Sequence, residues 1–280
     1  FINNLKFRAS WGRLGNENAL GYYDFQALIT SYNRHEGGYI QGGNAWPGSA
    51  SWNIERNDLK WETTDTKNIG FDLGMFNNKL TGSINYYINQ TEDLLITKRL
   101  SPSAGYENPI LNVGKIRNTG VELELNWSDK VKDFEYNIGF NFATTKNEVV
   151  ELADKGQALP ATGLLYDTDH VPAYAKEGKP ISGFYLYRTN GIFQSDQEAA
   201  EYVNKDGERL LPNAKAGDIR FVDSNGDGTI DEDDKEYCGT GIPKVEANLN
   251  FSAAYKGFDL SLSFGSAWGH KIYNGNKYFY

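Results

Sequence analysis

Between Phe221 and Gly239 the chain reads FVDSNGDGTIDEDDKEYCG, and six acids fall within residues 223–234 with no base among them. Carboxylates crowded in this way repel one another unless a cation or bulk water compensates them. Aligned to a twelve-position calcium loop, Asp223 stands at position 1, Asn225 at 3 and Asp227 at 5. Gly228 holds position 6, where the chain must turn sharply, and Thr229 offers its carbonyl at position 7. Asp231 takes position 9 and Asp234 position 12. Calcium prefers hard oxygen ligands, and this spacing turns such groups towards one point. Asp in place of the usual Glu at position 12 is a shorter arm, so the expected affinity is modest. The flanks GDIRFV and CGTGIP have no helical pattern, so the motif is an isolated calcium-type loop and not an EF-hand pair. The alternative is a solvated Asx-turn loop whose carboxylates repel one another.

No other constellation carries chemistry. His35, His170 and His270 are far apart and lack HExxH spacing, no G-x-S-x-G occurs, and GTGIPK misses the third glycine of a dinucleotide turn. No enzymatic activity is therefore expected. Tyr22, Tyr23, Tyr39, Trp46 and Trp52 could stack on a sugar ring or pack their own loop together. The net charge of −9 comes with no basic stripe, which argues against a nucleic-acid partner. A lone Cys238 allows neither an internal disulfide nor a zinc set.

The elements that must hold the acidic loop are strands. In GVELELNW, Val121, Leu123, Leu125 and Trp127 share one face while Glu122, Glu124 and Asn126 share the other. FEYNIGFNF repeats the alternation, as do VEANLNFSAAY, FDLSLSF, LKFRASWG, NIGFDLGMF and LTGSINYYIN. Period-2 alternation over such lengths gives a strand with one apolar and one polar face. Turns at 77–79, 128–133 and 256–257 are short, whereas segments near 13–60, 91–115 and 146–243 are long and polar. Short turns at one end and long loops at the other are the pattern of an outer-membrane barrel. Trp127 and Phe134, and Tyr255 and Phe258, bracket the short turns as an interfacial girdle would. The expected fold is all-β: a partial antiparallel transmembrane β-barrel wall of about seven long strands with long extracellular loops. A soluble antiparallel sandwich is the competing architecture. Within the excursion 146–243, Ser195 and Glu198 form a capping-box pair that predicts a short helix over 196–204. GFYLYRTNGIF is apolar on both faces, which places it in loop structure outside the membrane.

The phrases LKFRASWGRLGN, LKWETTDTKNIGFDLGMFNNKLTGSINYY and VGKIRNTGVELELNW resemble the later barrel strands of TonB-dependent outer-membrane transporters. GIFQSDQEAAEY, GDIRFVDSNGDGTIDEDD and GTGIPK narrow the resemblance to the SusC/RagA-like branch from Bacteroidetes. Residues 1–280 are then a partial receptor barrel domain in the outer membrane, in contact with outer-membrane lipid. The resemblance implies a barrel of about 22 strands, with the plug domain and TonB box lying outside this chain. It further implies a SusD-like lipoprotein lid, energy from the TonB system, and import of a glycan or peptide substrate. Calcium in the 223–234 loop would be structural. A secreted calcium-stabilised β-rich adhesin or binding module is the alternative function, since it needs no alternation of short and long hairpin ends.

Overall fold

The computed structural model describes residues 1–31, 38–98, 100–112, 114–152, 158–160 and 172–275. The main elements in chain order begin with β1 (Ile2–Asn16), β2 (Glu62–Met75), β3 (Leu80–Glu92), β4 (Lys115–Val131), β5 (Phe134–Thr144) and the short β6 (Lys146–Glu151). There follow β7 (Ala173–Ala175), β8 (Gly183–Tyr187), β9 (Thr189–Ile192), α1 (Asp196–Glu201), β10 (Ile219–Phe221) and β11 (Lys235–Thr240). The last two strands are β12 (Val245–Tyr255) and β13 (Phe258–Trp268). Chain contacts divide them into two units, one of Phe1–Gln157 with Lys244–Trp268, the other of Ala158–Pro243 with Gly269–Tyr280.

The first unit is a single antiparallel wall in the order β1-β2-β3-β4-β5-β12-β13, with β6 paired to β4 beyond the end of β5. All seven expected strands are present. Their register explains the alternation, because directly paired residues project from the same face. One such row runs Leu73, Gly82, Leu125, Phe140, Leu249 and Phe264 across six strands. The adjacent polar row on the opposite face contains Ser83, Glu124, Asn141 and Asn248. Among the described residues, nothing packs over the apolar face: Phe7 and Phe264 are each 60% exposed and Ile69 52%. In a sandwich these side chains would be buried against a second sheet. They are instead arranged as a lipid-facing wall, whose stability in water would be poor and in hydrocarbon good. Among the described residues, the wall's buried apolar side chains are only Ile116, Val149 and Leu152.

The short connections are tighter than the sequence suggested. β4 and β5 stay paired to Val131 and Phe134, leaving Lys132 and Asp133 as the turn in place of 128–133. Polar contacts hold the strand ends together: Lys79 Nζ meets Asp129 at 2.7 Å, Lys130 pairs with Glu135, and Asn137 donates to Ser128 Oγ at 2.7 Å. Lys256 and Gly257, with φ of 45° and 86°, make the two-residue β12–β13 turn. At the other end β6 carries the wall on to Glu151, so the long excursion leaves it later than residue 146.

Gly120 marks the place where β5 hands β4 over to β6. A Cβ there would run into the carbonyl of Thr144 and lie 2.7 Å from the Tyr87 hydroxyl. Backbone atoms cannot yield as a flexible side-chain tip can. Gly120→Ala in the full-length protein should therefore cost about 1–3 kcal/mol, read as a shift in denaturant midpoint. Gly139→Ala is the control, since its nearest neighbour would be 3.7 Å away. Equal stability of the two variants would refute the close-approach explanation.

The second unit has an ordinary buried core. β8 lies between β7 and β11, and β9 pairs with β10. Phe184 and Tyr185 are successive residues of β8, and both are buried, which accounts for a strand apolar on both faces. Phe193 and Ala199 are also buried, and the Phe193 ring meets Tyr202 edge-on at 5.6 Å. The helix is shorter than the expected 196–204, ending at Glu201. Tyr202 leaves helical geometry, its hydroxyl donates to the Phe221 carbonyl, and Val203 forms a bridge with Arg209. Ser195 caps the helix by accepting the Glu198 N–H, but Glu198 reaches back to Gln194 N–H instead of completing the box at Ser195.

Candidate functional site

The acidic loop joins β10 to β11 in the second unit. Gly226 and Gly228 occupy left-handed backbone with φ of 77° and 93°, which lets the chain fold back twice within a few residues. The acids do not simply repel across empty space. Asp223 accepts the N–H groups of Gly226 at 2.6 Å and Gly228 at 2.9 Å. Asn225 Oδ1 accepts from Asp227 N–H, and Asp227 Oδ1 accepts both the N–H and the hydroxyl of Thr229, all at 2.8 Å. Asp231 caps the 3₁₀ turn Glu232–Asp234 by accepting from Asp233 N–H.

Asp234 is the centre of the arrangement. It is fully buried, and its two oxygens accept N–H groups from Ser224 at 2.7 Å, Asn225 at 3.3 Å and Asp231 at 2.9 Å. A shorter arm than Glu is what lets it turn inwards onto the backbone at both ends of the loop. Outside this hub, Asn204 Nδ2 donates to the Gly228 carbonyl and Lys235 Nζ pairs with Glu232 at 2.6 Å. The expected ligands Asp223, Asn225, Asp227, Asp231 and Asp234 thus lie in one loop, each capping backbone. Among the described residues, no group of three or more His, Cys, Asp or Glu side chains is gathered closely enough to hold a metal ion. His35 and His170 lie outside the described residues.

Hydrogen bonds from the Thr229 N–H, then its hydroxyl, then the Asn225 amide hold the Asp227 carboxyl below its ordinary range. Depressed in the folded loop, this group stabilises it above its unfolded value of about 3.9. That contribution disappears as pH falls through the lower folded value. Hydrogen exchange at Thr229, corrected for intrinsic pH dependence, should therefore accelerate in acid below about pH 4. Asp227→Asn should lose most of that pH dependence, and an unchanged profile would reject the assignment.

A second chemical surface is the polar face of the wall. Glu122, Glu124, Asn85, Asn141 and Asn248 project from one side, bordering a concavity of about 320 Å³. Nearby, Arg8 donates to Asn85 Oδ1 at 2.8 Å and pairs with Asp72 at 2.7 Å. Amide, hydroxyl and carboxylate groups in this density keep water on that face, as a barrel interior requires. In the first long loop, Tyr22 is 96% exposed, and Tyr23, Tyr39, Trp46 and Trp52 are also exposed. Alternation alone could not have found the Asp234 hub, although the Asp-rich spacing marked its residues.

The profile of the TonB dependent receptor-like, beta-barrel family matches residues 1–280. The chain belongs to that family. Over 305 residues it is 31% identical to a TonB-dependent receptor of Formosa agariphila, covering 98% of this chain and 27% of that protein. It is 28% identical to the TonB-dependent receptor SusC of Bacteroides thetaiotaomicron, over 97% of this chain and 26% of that one. The chain thus spans about a quarter of the length of the curated relatives it matches. A chain of the RagAB peptide transporter shares its fold, with a TM-score of 0.72 over 99% of this chain and 28% of that one, at 24% identity. This TonB-dependent receptor wall is accordingly a stretch of an outer-membrane barrel, and the sandwich reading is set aside.

Proposed function

We propose that the chain forms part of the wall of an outer-membrane active transporter that imports glycans or peptides. The observation that carries this reading is a long wall with an unburied apolar face and a hydrated polar one, within a TonB-dependent receptor family. Similarity to SusC and to the RagAB peptide transporter favours an oligomeric nutrient as cargo. The same relatives support a SusD-like lipoprotein partner and energy from the TonB system, supplied through parts of the protein outside this chain. The wall's own contribution is passive: its polar face keeps a wet surface along the path, and its apolar face anchors that path in lipid. Deleting the whole gene in its host should abolish uptake of one glycan or peptide class, and the full gene should restore it. Restoration by a version unable to engage TonB would overturn active transport.

As a second reading we propose a structural calcium ion in the acidic loop, which requires its side chains to move closer together than their backbone-capping positions. Each accepted N–H occupies one lone pair of its oxygen, and carboxylates have others to offer. The side chains of Asp223, Asn225, Asp227, Asp231 and Asp234 would turn inwards, joined by the Thr229 carbonyl. Affinity would lie in the extracellular range of about 10⁻⁴ to 10⁻³ M. Calorimetry on the full-length protein should show binding that Asp223→Ala abolishes. No heat and no added protease resistance in millimolar calcium would leave the loop as a self-capped turn.

A further inference from the structure

On the lipid-facing side, the apolar rows stop at one height on adjacent strands. The row containing Ala9, Ile69, Tyr86 and Val121 is still apolar. One step towards the long loops stand Trp11, Lys67, Ile88, Thr119 and Lys146. The next row holds Arg13, Asp65, Gln90, Arg117 and Glu148, and above it Lys115 meets Glu92 at 2.9 Å. Side chains alternate strictly along a strand, so these charges share a face with the lipid-contacting residues.

Three acids of this band each have a close cation, while Glu151, opposite Lys115, shares that lysine with Glu92. Arg13 holds Asp65 through Nε at 2.8 Å and Nη2 at 2.6 Å, Lys115 holds Glu92, and Lys146 holds Glu148 at 2.7 Å. Among the described residues, two cations have no carboxylate within bonding distance. Lys67 is exposed and makes no close ion pair among the described residues, its charge acting on Asp65 two residues away, and Arg117 places Nε 3.3 Å from the Gln90 amide oxygen while its charge acts on Glu148 across the strand pair. They sit on β2 and β4, one strand apart, so their backbones are separated laterally by about 10 Å. Both side chains are long enough to meet over the intervening strand. Trp11, 67% exposed, is paired with Lys67 and presents the kind of ring that settles at headgroup depth.

We propose that Lys67 and Arg117, flanked by Trp11, bind the phosphate headgroup of an anionic lipid in the leaflet on the long-loop side. Their position answers the requirement: hydrocarbon lies directly below, and the two cations that no carboxylate bonds directly stand where lipid phosphates lie. Aligned acids and bases elsewhere in the band neutralise one another and compete little for the ligand.

The test uses the full-length receptor in nanodiscs of phosphatidylcholine containing a minority of phosphatidic acid, with bound lipids counted by native mass spectrometry. The wild type should enrich phosphatidic acid around itself. Lys67→Gln with Arg117→Gln should lower that enrichment by about tenfold or more, since each basic side chain near an anionic surface is worth roughly fivefold. Lys115→Gln with Lys146→Gln, which removes two already paired cations, should lower it far less. Heat-resistant electrophoretic mobility verifies that each variant remains a folded barrel, and Lys67→Glu alone supplies a second, opposite-charge variant. Equal losses in the paired and unpaired variants would overturn the proposal, as would no enrichment by the wild type. Displacement of the lipid by millimolar inorganic phosphate would overturn it too, by showing a free-anion site.

Discussion

Leu125→Arg should destabilise the folded full-length receptor by about 2–4 kcal/mol, the cost of a cation near the middle of a lipid-facing strand. Leu125 sits in the row with Leu73, Phe140 and Leu249, with apolar or aromatic rows on either side. A guanidinium there must leave water or drag water with it, and either is expensive. Asn126→Arg, one residue along, projects from the hydrated face and should cost little. Reversible denaturation into lipid vesicles measures both. Equal penalties for the two substitutions would contradict the assignment of faces, and with it the wall.

Asp234→Ala is expected to have the largest local effect in the second unit. It removes one carboxylate and leaves the N–H groups of Ser224, Asn225 and Asp231 without their acceptor. An unsatisfied buried polar group costs about 1–3 kcal/mol; these donors sit on exposed residues that water can reach in part, so the loop should open by about that amount and not three times it. Asp234→Asn keeps one acceptor oxygen but turns an amide donor towards a donor, and should fall between. Protease cleavage near Asp227 and amide exchange at Ser224 report the opening. Added calcium should not rescue Asp234→Ala, whereas a loop held chiefly by metal would be similarly weakened by chelator in the wild type. Protection at Ser224 that survives Asp234→Ala would refute the hub.

The wall was legible because alternation is enforced residue by residue: Leu123 and Glu124 cannot exchange faces without placing charge in lipid. Strand ends were less legible. Ser128, Asp129 and Lys130 are polar and read as turn, yet cross-strand partners keep them in register. The excursion was read only in part. Ser195 announced α1, but the helix stops early because Tyr202 is drawn away by the Phe221 carbonyl, a contact nineteen residues distant that no local pattern encodes. In the acidic loop, composition identified the residues, while spacing could not reveal that Asp234 would turn towards the backbone. The same oxygens suit metal and N–H alike.

The excursion begins and ends at a single point. Thr144 pairs with Val245, and Thr145 N–H donates to the Lys244 carbonyl at 3.0 Å. To β5 and β12, residues 146–243 are therefore equivalent to a hairpin turn, although the first six of them, β6, still pair with β4. Such a junction makes the segment a cassette. A different insert with the same closely spaced ends could replace it at the cost of β6 alone, leaving the seven long strands of the frame in place.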